Sequence, residues 1–245
     1  MSKTLSLQFL ESLVPGGIGF GSILLVEFEP HSVWYEASLT ATAQALRLGS
    51  RTEYHTFQHI PNDVRATLSR LELDVKRLEN DGVLKIVDSY TCQTGLGDPE
   101  TRVDDRHSVA SRSLKLSDWS ISTAQEIKAG VPEEDKRWLH IDDNTSVLNR
   151  YNGENAIIDY WRTRGIPETR VEEAVVLHSL LVGVASDAFY KQFESLCDGI
   201  IDFKSEEKSG QIEHYVRARI MRSRPNDSRW RRLKILENGE VTLEE

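Results

Sequence analysis

The sequence predicts an α/β protein with a mainly parallel central sheet, helices on both faces and a C-terminal antiparallel β extension. Apolar runs of strand length alternate with segments of helical period as far as Leu196. Beyond Gly199, strand-like segments follow one another with only turns between them. The composition of 245 residues, 39% hydrophobic and 28% charged, suits a globular chain with a sizeable core. Alternating elements followed by a run of strands are typical of a mixed sheet.

The first elements are a strand and two helices. Ser22–Glu29 is apolar and follows the turn signal Pro15-Gly16-Gly17, so it predicts a buried strand. In His31–Leu48, alanine and leucine recur at spacings of three and four and Gly49 follows, which predicts a helix with a glycine stop. Asp63–Leu73 has the same spacing and predicts an amphipathic helix.

The later elements are predicted on the same grounds. Further strands are predicted over Arg51–Phe57, Val83–Tyr90, Arg137–Asp142, Ala174–His178, Gly199–Phe203, Gln211–Arg222 and Leu233–Leu236. Further helices are predicted over 117–129, Glu154–Thr163 and Asp187–Leu196. The polar segment Thr91–Ser113 lacks a clear period and is interpreted as a long surface loop.

Composition excludes several classes of protein. No apolar run reaches the roughly 18–20 residues of a membrane helix, and Met1–Leu10 lacks the apolar block of a secretory signal. Cys92 and Cys197 cannot by themselves form a disulfide framework. The net charge of −9 does not favour nucleic acid over the whole surface. We expect a cytoplasmic protein with one domain over 1–245, in which 204–245 is a C-terminal β-hairpin extension.

Four fragments carry a family resemblance. They are Gly16–Ser22 (GGIGFGS), Leu78–Asp88 (LENDGVLKIVD), Cys197–Ile201 (CDGII) and the stretch from Met221-Arg222-Ser223 to Ser228-Arg229-Trp230. In this order they resemble the KaiC-like branch of RecA-fold ATPases, which includes the archaellum accessory ATPase FlaH. The resemblance implies a RecA-like three-layer fold over nearly the whole chain and assembly side by side into oligomers.

The phosphate-binding loop of that family is altered here. The family motif is Gly-x-x-Gly-x-Gly-Lys-Ser/Thr, in which backbone N–H groups wrap the phosphates, lysine neutralises them and the hydroxyl helps to hold magnesium. By resemblance, Phe28, His31 and Val33 stand at the glycine positions, Trp34 at the lysine and Tyr35 at the hydroxyl. Trp34 and Tyr35 are predicted to fill the former pocket. This degenerate nucleotide pocket comprises Pro30, His31, Ser32, Val33, Trp34, Tyr35 and Asp142.

These replacements predict the loss of tight triphosphate binding. Each lost charge-assisted contact is worth roughly 1.5–3 kcal/mol, and Glu36 adds negative charge to the turn. Phe57-Gln58-His59 stands where the family has a glutamate pair that primes the attacking water. Asp142 is either the retained magnesium-associated aspartate or a structural carboxylate. We therefore predict a pseudo-ATPase with no catalytic residue and no cofactor.

The C-terminal segment is rich in arginine. Arg217 and Arg219 are predicted to share one strand face, while Val216, Ala218 and Ile220 share the other. Such a basic face suits contact with nucleic acid or with a neighbouring subunit or protein, or it simply helps to keep an acidic protein folded. The candidate contact residues are Arg217, Arg219, Arg222, Arg229, Arg231 and Arg232.

Histidine spacing predicts no metal site. None of the seven histidines pairs at one helical turn, and His55 and His59 are expected in a strand and a turn respectively. Only tertiary proximity could then create a site.

Three functions remain open. The first is a non-catalytic regulatory or scaffold subunit that binds protein partners or itself, in signal transduction or with an active related ATPase. The others are a nucleic-acid-binding subunit of a RecA-like ring and a residual nucleotide-binding ATPase.

Overall fold

The computed structural model describes residues 4–56, 59–88, 137–143, 145, 148 and 153–244. The strands are β1 (Thr4–Leu5), β2 (Ile18–Gly19), β3 (Ser22–Phe28), β4 (Arg51–Thr56), β5 (Leu84–Asp88), β6 (Trp138–Asp143), β7 (Val175–Leu181), β8 (Gly199–Lys208), β9 (Gln211–Met221), β10 (Arg231–Ile235) and β11 (Val241–Leu243). The helices are α1 (Trp34–Arg47), α2 (Pro61–Arg70), α3 (Val75–Asn80), α4 (Glu154–Tyr160), α5 (Ile166–Val171) and α6 (Asp187–Leu196). A 3₁₀ turn spans Gln8–Leu10, and a π-helical turn, Trp161–Gly165, joins α4 to α5.

Nine of the strands in the described part of the chain form one sheet in the order β11-β10-β9-β8-β3-β7-β6-β4-β5. The strands from β8 to β5 are mutually parallel. Strands β9, β10 and β11 continue the sheet in antiparallel fashion. The predicted parallel centre with an antiparallel C-terminal extension is therefore confirmed.

Two apolar cores lie on opposite faces of the sheet. Leu24 and Val26 belong to one core with α1, α2 and the N-terminal segment. Ile23 and Leu25 belong to the other with α4 and α6. Because β3 is buried on both faces, its sequence is a continuous apolar run rather than an alternation.

The first helix begins later than predicted. It starts at Trp34 rather than His31, because His31 lies in the left-handed region with φ of +66° and Val33 is not helical. Helix α3 was not predicted, and its start is capped by the carboxylate of Asp74, which accepts a hydrogen bond from the amide of Arg77. The predicted loop Thr91–Ser113 and the predicted helix over 117–129 lie outside the described residues.

The prediction that Ile220 shares a strand face with Val216 and Ala218 is wrong. Ile200 pairs with Ile220 and Ile201 with Ala218, so a β-bulge inserts Arg219 as an extra residue. Val216 and Ala218 are buried as expected, but the side chain of Ile220 is 45% exposed. The bulge breaks the two-residue alternation on which the prediction depended.

Candidate functional site

A cavity of about 280 Å³ lies at one end of the parallel strands. Its walls include the last residues of β3, β4, β6 and β7, namely Phe28, Thr56, Asp143 and Leu181. Strands β4 to β7, which follow β3 along the chain, all lie on one side of β3 in the sheet. Strand β8 lies on its other side. Ligands of open α/β sheets bind beyond the carboxyl ends of the strands at such a switch point.

The loop 29–33 between β3 and α1 forms one wall of this cavity and is bound to β8. The amide of Glu29 donates to the carbonyl of Phe203 at 3.0 Å, and the hydroxyl of Ser205 donates to the carbonyl of His31 at 3.0 Å. The amide of Ser32 donates within the loop, to the carbonyl of Glu29 at 3.1 Å. That amide is therefore already hydrogen-bonded to protein.

The loop keeps a left-handed residue without having a glycine there. His31, which stands at a glycine position of the family motif, has φ of +66°. A side chain in this conformation costs about 1–2 kcal/mol relative to the ordinary right-handed region. The loop therefore carries local strain beside the cavity.

The two aromatic residues that open α1 lie in different surroundings. Trp34 is only 7% exposed, and its ring centroid lies 5.3 Å from that of Phe203. Tyr35 stacks on His59 with centroids 3.6 Å apart, and burial raises the pKa of its phenol to about 12. Both residues line the cavity without filling it.

Two neighbouring carboxylates close the cavity at the end of β6. Asp142 is buried, and its Oδ1 accepts the amide of Asp143 at 2.8 Å. Burial raises the pKa of the Asp142 carboxyl to about 6, against the opposing positive charge of His55. Oδ1 of Asp143 accepts from the hydroxyl of Ser179 at 3.2 Å and from the amide of Thr145 at 2.9 Å.

Carboxylates and imidazoles line the cavity, the imidazoles being those of His31, His55 and His59. Glu29, Asp142 and Asp143 contribute carboxylates to its walls, and none of the described wall residues is lysine or arginine. The predicted pocket residues Pro30, His31, Ser32, Trp34, Tyr35 and Asp142 all lie at this cavity. Val33 does not line it and is buried in the core. Phe57 and Gln58, at the position of the family's glutamate pair, lie outside the described residues.

Comparison with known proteins identifies the fold. No protein-family model and no curated protein matches the chain. The crystal structure of a KaiC-like protein from the hyperthermophilic archaeon Pyrococcus horikoshii matches with a TM-score of 0.64 at 16% sequence identity. The match covers 100% of this chain and 97% of that one.

The chain has a KaiC-like RecA fold. The RecA-like fold predicted from the sequence is thereby confirmed. In the part of the chain that the structure describes, no helix combines the length and apolar character needed to span a membrane.

The arginines at the C-terminal end of this KaiC-like fold contact groups of the same chain. Arg219 binds the carboxylates of Glu27, Glu194 and Asp202. Arg217 donates to Asp202 at 2.6 Å. Further contacts of this kind join Arg222 to the carbonyl of Glu194, Arg229 and Arg231 to Asp227, and Arg232 to Glu213 and Glu244.

These pairings explain why the C-terminal segment looks basic in the sequence. Asp227 is the single acidic residue between Arg217 and Lys234 in the sequence. The other carboxylates that pair with these arginines belong to segments outside this stretch. The six candidate contact residues are therefore all engaged with groups of their own chain.

A polar cluster on β4 and β6 was missed by sequence reasoning. Nε2 of His55 lies 2.7 Å from Oε1 of Glu53, and the ring of His55 stacks on that of His140 with centroids 4.7 Å apart. One ligand atom from each of Glu53, His55 and His140 lies within 4.8 Å of the others. The sequence contained one indication of this cluster, the patterns Glu-x-His in β4 and His-x-Asp in β6, two strands that pair in the sheet.

A larger cavity of about 510 Å³ adjoins this polar cluster. Glu53, His140, Trp138 and Lys85 are among its walls. Burial first, and the charges of His140 and His55 after it, hold the pKa of the nearby His178 well below its usual range. His178 is therefore a neutral imidazole at neutral pH.

Proposed function

We propose that this chain is a pseudo-ATPase that acts as a non-catalytic regulatory or scaffold subunit through contacts with other protein subunits. One observation carries the proposal. The cavity at the carboxyl ends of the strands is lined by the carboxylates of Glu29, Asp142 and Asp143, and its described wall residues include no lysine or arginine. This observation supports a KaiC-like body in which the groups that would neutralise a triphosphate are replaced.

Electrostatics opposes a triphosphate in this cavity. Since the pKa of Asp142 is about 6, its carboxyl is mostly ionised at pH 7.5. Two like unit charges about 6 Å apart repel by roughly 3 kcal/mol at an effective dielectric constant near 20. The free amides of the first turn of α1 attract anions by only about 0.3–1 kcal/mol. The repulsion therefore exceeds the attraction.

The antiparallel extension offers apolar contact area for a protein partner. Ile212 is 62% exposed on β9, and Ile235 and Leu236 are exposed at the end of the neighbouring strand β10. Apolar and arginine side chains together are common in protein interfaces. The ion pairs within the chain lower the free positive charge available to a phosphate backbone, which supports a protein partner over nucleic acid.

Calorimetric titration tests the loss of nucleotide binding. We expect no saturable heat with Mg²⁺-ATP, Mg²⁺-ADP or Mg²⁺-GTP up to millimolar concentration, and no ATP hydrolysis. Submillimolar binding that Asp142→Asn abolishes would instead favour a residual nucleotide enzyme. Circular dichroism of Asp142→Asn controls for its folding.

Mass measurement and affinity capture test the scaffold role. We expect either a self-assembled mass in solution or a stable protein partner, weakened when Ile212→Asp and Ile235→Asp are combined. A strictly monomeric mass together with no captured partner would contradict the role. Lys76→Asp is a control for added surface charge, because Lys76 is exposed on α3 away from the extension.

A further inference from the structure

We propose that Glu53, His55 and His140 form a binding site for a divalent transition-metal ion of the zinc class, with the carboxylate of Asp142 as a fourth donor. The site shares His55 and Asp142 with the walls of the smaller cavity, whereas Glu53 and His140 are walls of the larger one, and none of the four lies in the loop 29–33.

The strands place these four side chains side by side. Glu53 of β4 lies directly opposite His140 of β6 in the parallel register. Side chains two residues apart on a strand share one face, so Glu53 lies beside His55 and His140 beside Asp142. Donor atoms on two paired strands are held more rigidly than donors on loops.

The donor set suits zinc. Two imidazoles and one glutamate make up a three-ligand zinc set that leaves a fourth position for a carboxylate or water. The donors of Glu53, His55 and His140 lie within 4.8 Å of one another. Tetrahedral metal–ligand bonds of about 2.0–2.1 Å place the donor atoms about 3.3 Å apart. Side-chain rotations that move each donor atom by roughly 1 Å therefore bring the donors to that spacing.

A proton occupies part of the site in the absence of metal. Nε2 of His55 and Oε1 of Glu53 are 2.7 Å apart and share a hydrogen bond. Metal binding replaces that N–H···O contact with metal–nitrogen and metal–oxygen bonds and releases the proton to solvent. Lys85 contacts the other oxygen of Glu53, Oε2, at 3.2 Å, and therefore leaves Oε1 to the ion.

A second observation points to a cation. Asp142 is fully buried, and its Oδ2 has no hydrogen-bond partner among the described residues. This oxygen lies 3.9 Å from Nε2 of His140. A buried carboxylate oxygen without a partner is costly, and a metal ion between Asp142 and His140 would remove that cost.

An ion can reach the cluster through the larger cavity. Glu53 and His140 are among the walls of the 510 Å³ cavity. His55 and Asp142 are among the walls of the smaller one. The cluster thus lies between two cavities, with the larger providing the entry path that a buried metal site needs.

Titration of the chelator-treated full chain with Co²⁺ and then Zn²⁺ tests the site. We expect one equivalent of Co²⁺ to give visible d–d absorption, and one equivalent of Zn²⁺ to abolish it and raise the unfolding temperature. His140→Ala and Glu53→Gln should each weaken affinity by more than the ~10–100-fold that loss of an outer partner costs. His214→Ala is the matched control, because it removes a histidine on β9 and should leave binding unchanged.

Two outcomes would overturn the site. One is the absence of saturable binding and of a Co²⁺ spectrum in the unmodified chain. The other is equal affinity and stoichiometry in the parent, His140→Ala and Glu53→Gln. If His140→Ala does not fold, Glu53→Gln decides, since its amide preserves the size of the side chain and the hydrogen bond to His55. The metal content of the unmodified chain can be measured whether or not any variant folds.

Discussion

The indole of Trp34 packs against the phenyl ring of Phe203, with ring centroids 5.3 Å apart and planes inclined at 59°. Trp34, which the sequence resemblance places at the lysine position of the family motif, belongs to the core between α1 and β8. In this chain the residue stabilises the fold. A substitution of Trp34 therefore changes core packing as well as charge.

Trp34→Lys should destabilise the protein without creating nucleotide binding. Removing a buried aromatic side chain costs about 3–5 kcal/mol, and the buried ammonium adds to that cost. Urea unfolding measures the stability and calorimetry with Mg²⁺-ATP measures binding. Trp34→Phe, which keeps an aromatic contact with Phe203, should cost clearly less. Submillimolar ATP binding by Trp34→Lys at parental stability would contradict this account.

His31→Gly should be more stable than His31→Ala. His31 has φ of +66°, where glycine carries no Cβ penalty and alanine does. Because glycine also has more freedom in the unfolded chain, the expected difference is up to about 1 kcal/mol. The alanine variant controls for loss of the imidazole, and thermal unfolding of both variants measures the difference. Equal stabilities would mean that the loop relaxes out of the left-handed conformation in solution.

The sequence predicted the architecture well because burial patterns determine it. The apolar run of β3 and the alternation of helices with strands depend on period and composition, which a single sequence contains. The start of α1 was predicted three residues early, since the left-handed His31 is a backbone property without a composition signal. The β-bulge at Arg219 likewise shifted Ile220 to the exposed face.

Apart from Asp142, sequence reasoning could predict only those residues of the candidate site that are neighbours along the chain, in the loop between β3 and α1 and the first turn of α1. The prediction that Trp34 stands at the lysine position rests on the sequence of the loop alone. The cluster of Glu53 and His140 depends on which strands become neighbours, and their residues are far apart along the chain. The carboxylates that bind Arg219 also come from distant segments, so counting neighbouring charges overestimated how basic the C-terminal segment is.

Arg219→Met should destabilise the protein more than Arg217→Met. Arg219 binds Glu27, Glu194 and Asp202, whereas Arg217 donates to Asp202. Losing Arg219 leaves partly buried carboxylates close together, at an expected cost of about 2–3 kcal/mol against about 1 kcal/mol for Arg217. Methionine keeps much of the alkyl packing in both variants. Urea unfolding compares them, and equal losses would show that Arg219 acts through packing rather than charge.

Glu27→Gln should change how stability depends on pH. Burial raises the pKa of the Glu27 carboxyl to about 7 from about 4.5, and the charge of Glu194 adds to this while the charge of Arg219 opposes it. The folded state therefore holds a proton that the unfolded state has lost between these two pH values. The stabilisation from Glu27 is present below about pH 4.5 and is lost as pH rises through about 7.

The comparison of parent and variant isolates this one carboxyl from the other titrating groups. Glutamine cannot ionise, so the stability of Glu27→Gln should gain on the parent between about pH 5 and 7 and the difference should level off above that range. Urea unfolding of both proteins at closely spaced pH values measures it. A difference that moves in favour of the parent as pH rises would mean that the ion pair with Arg219 outweighs burial and lowers the pKa of Glu27 instead.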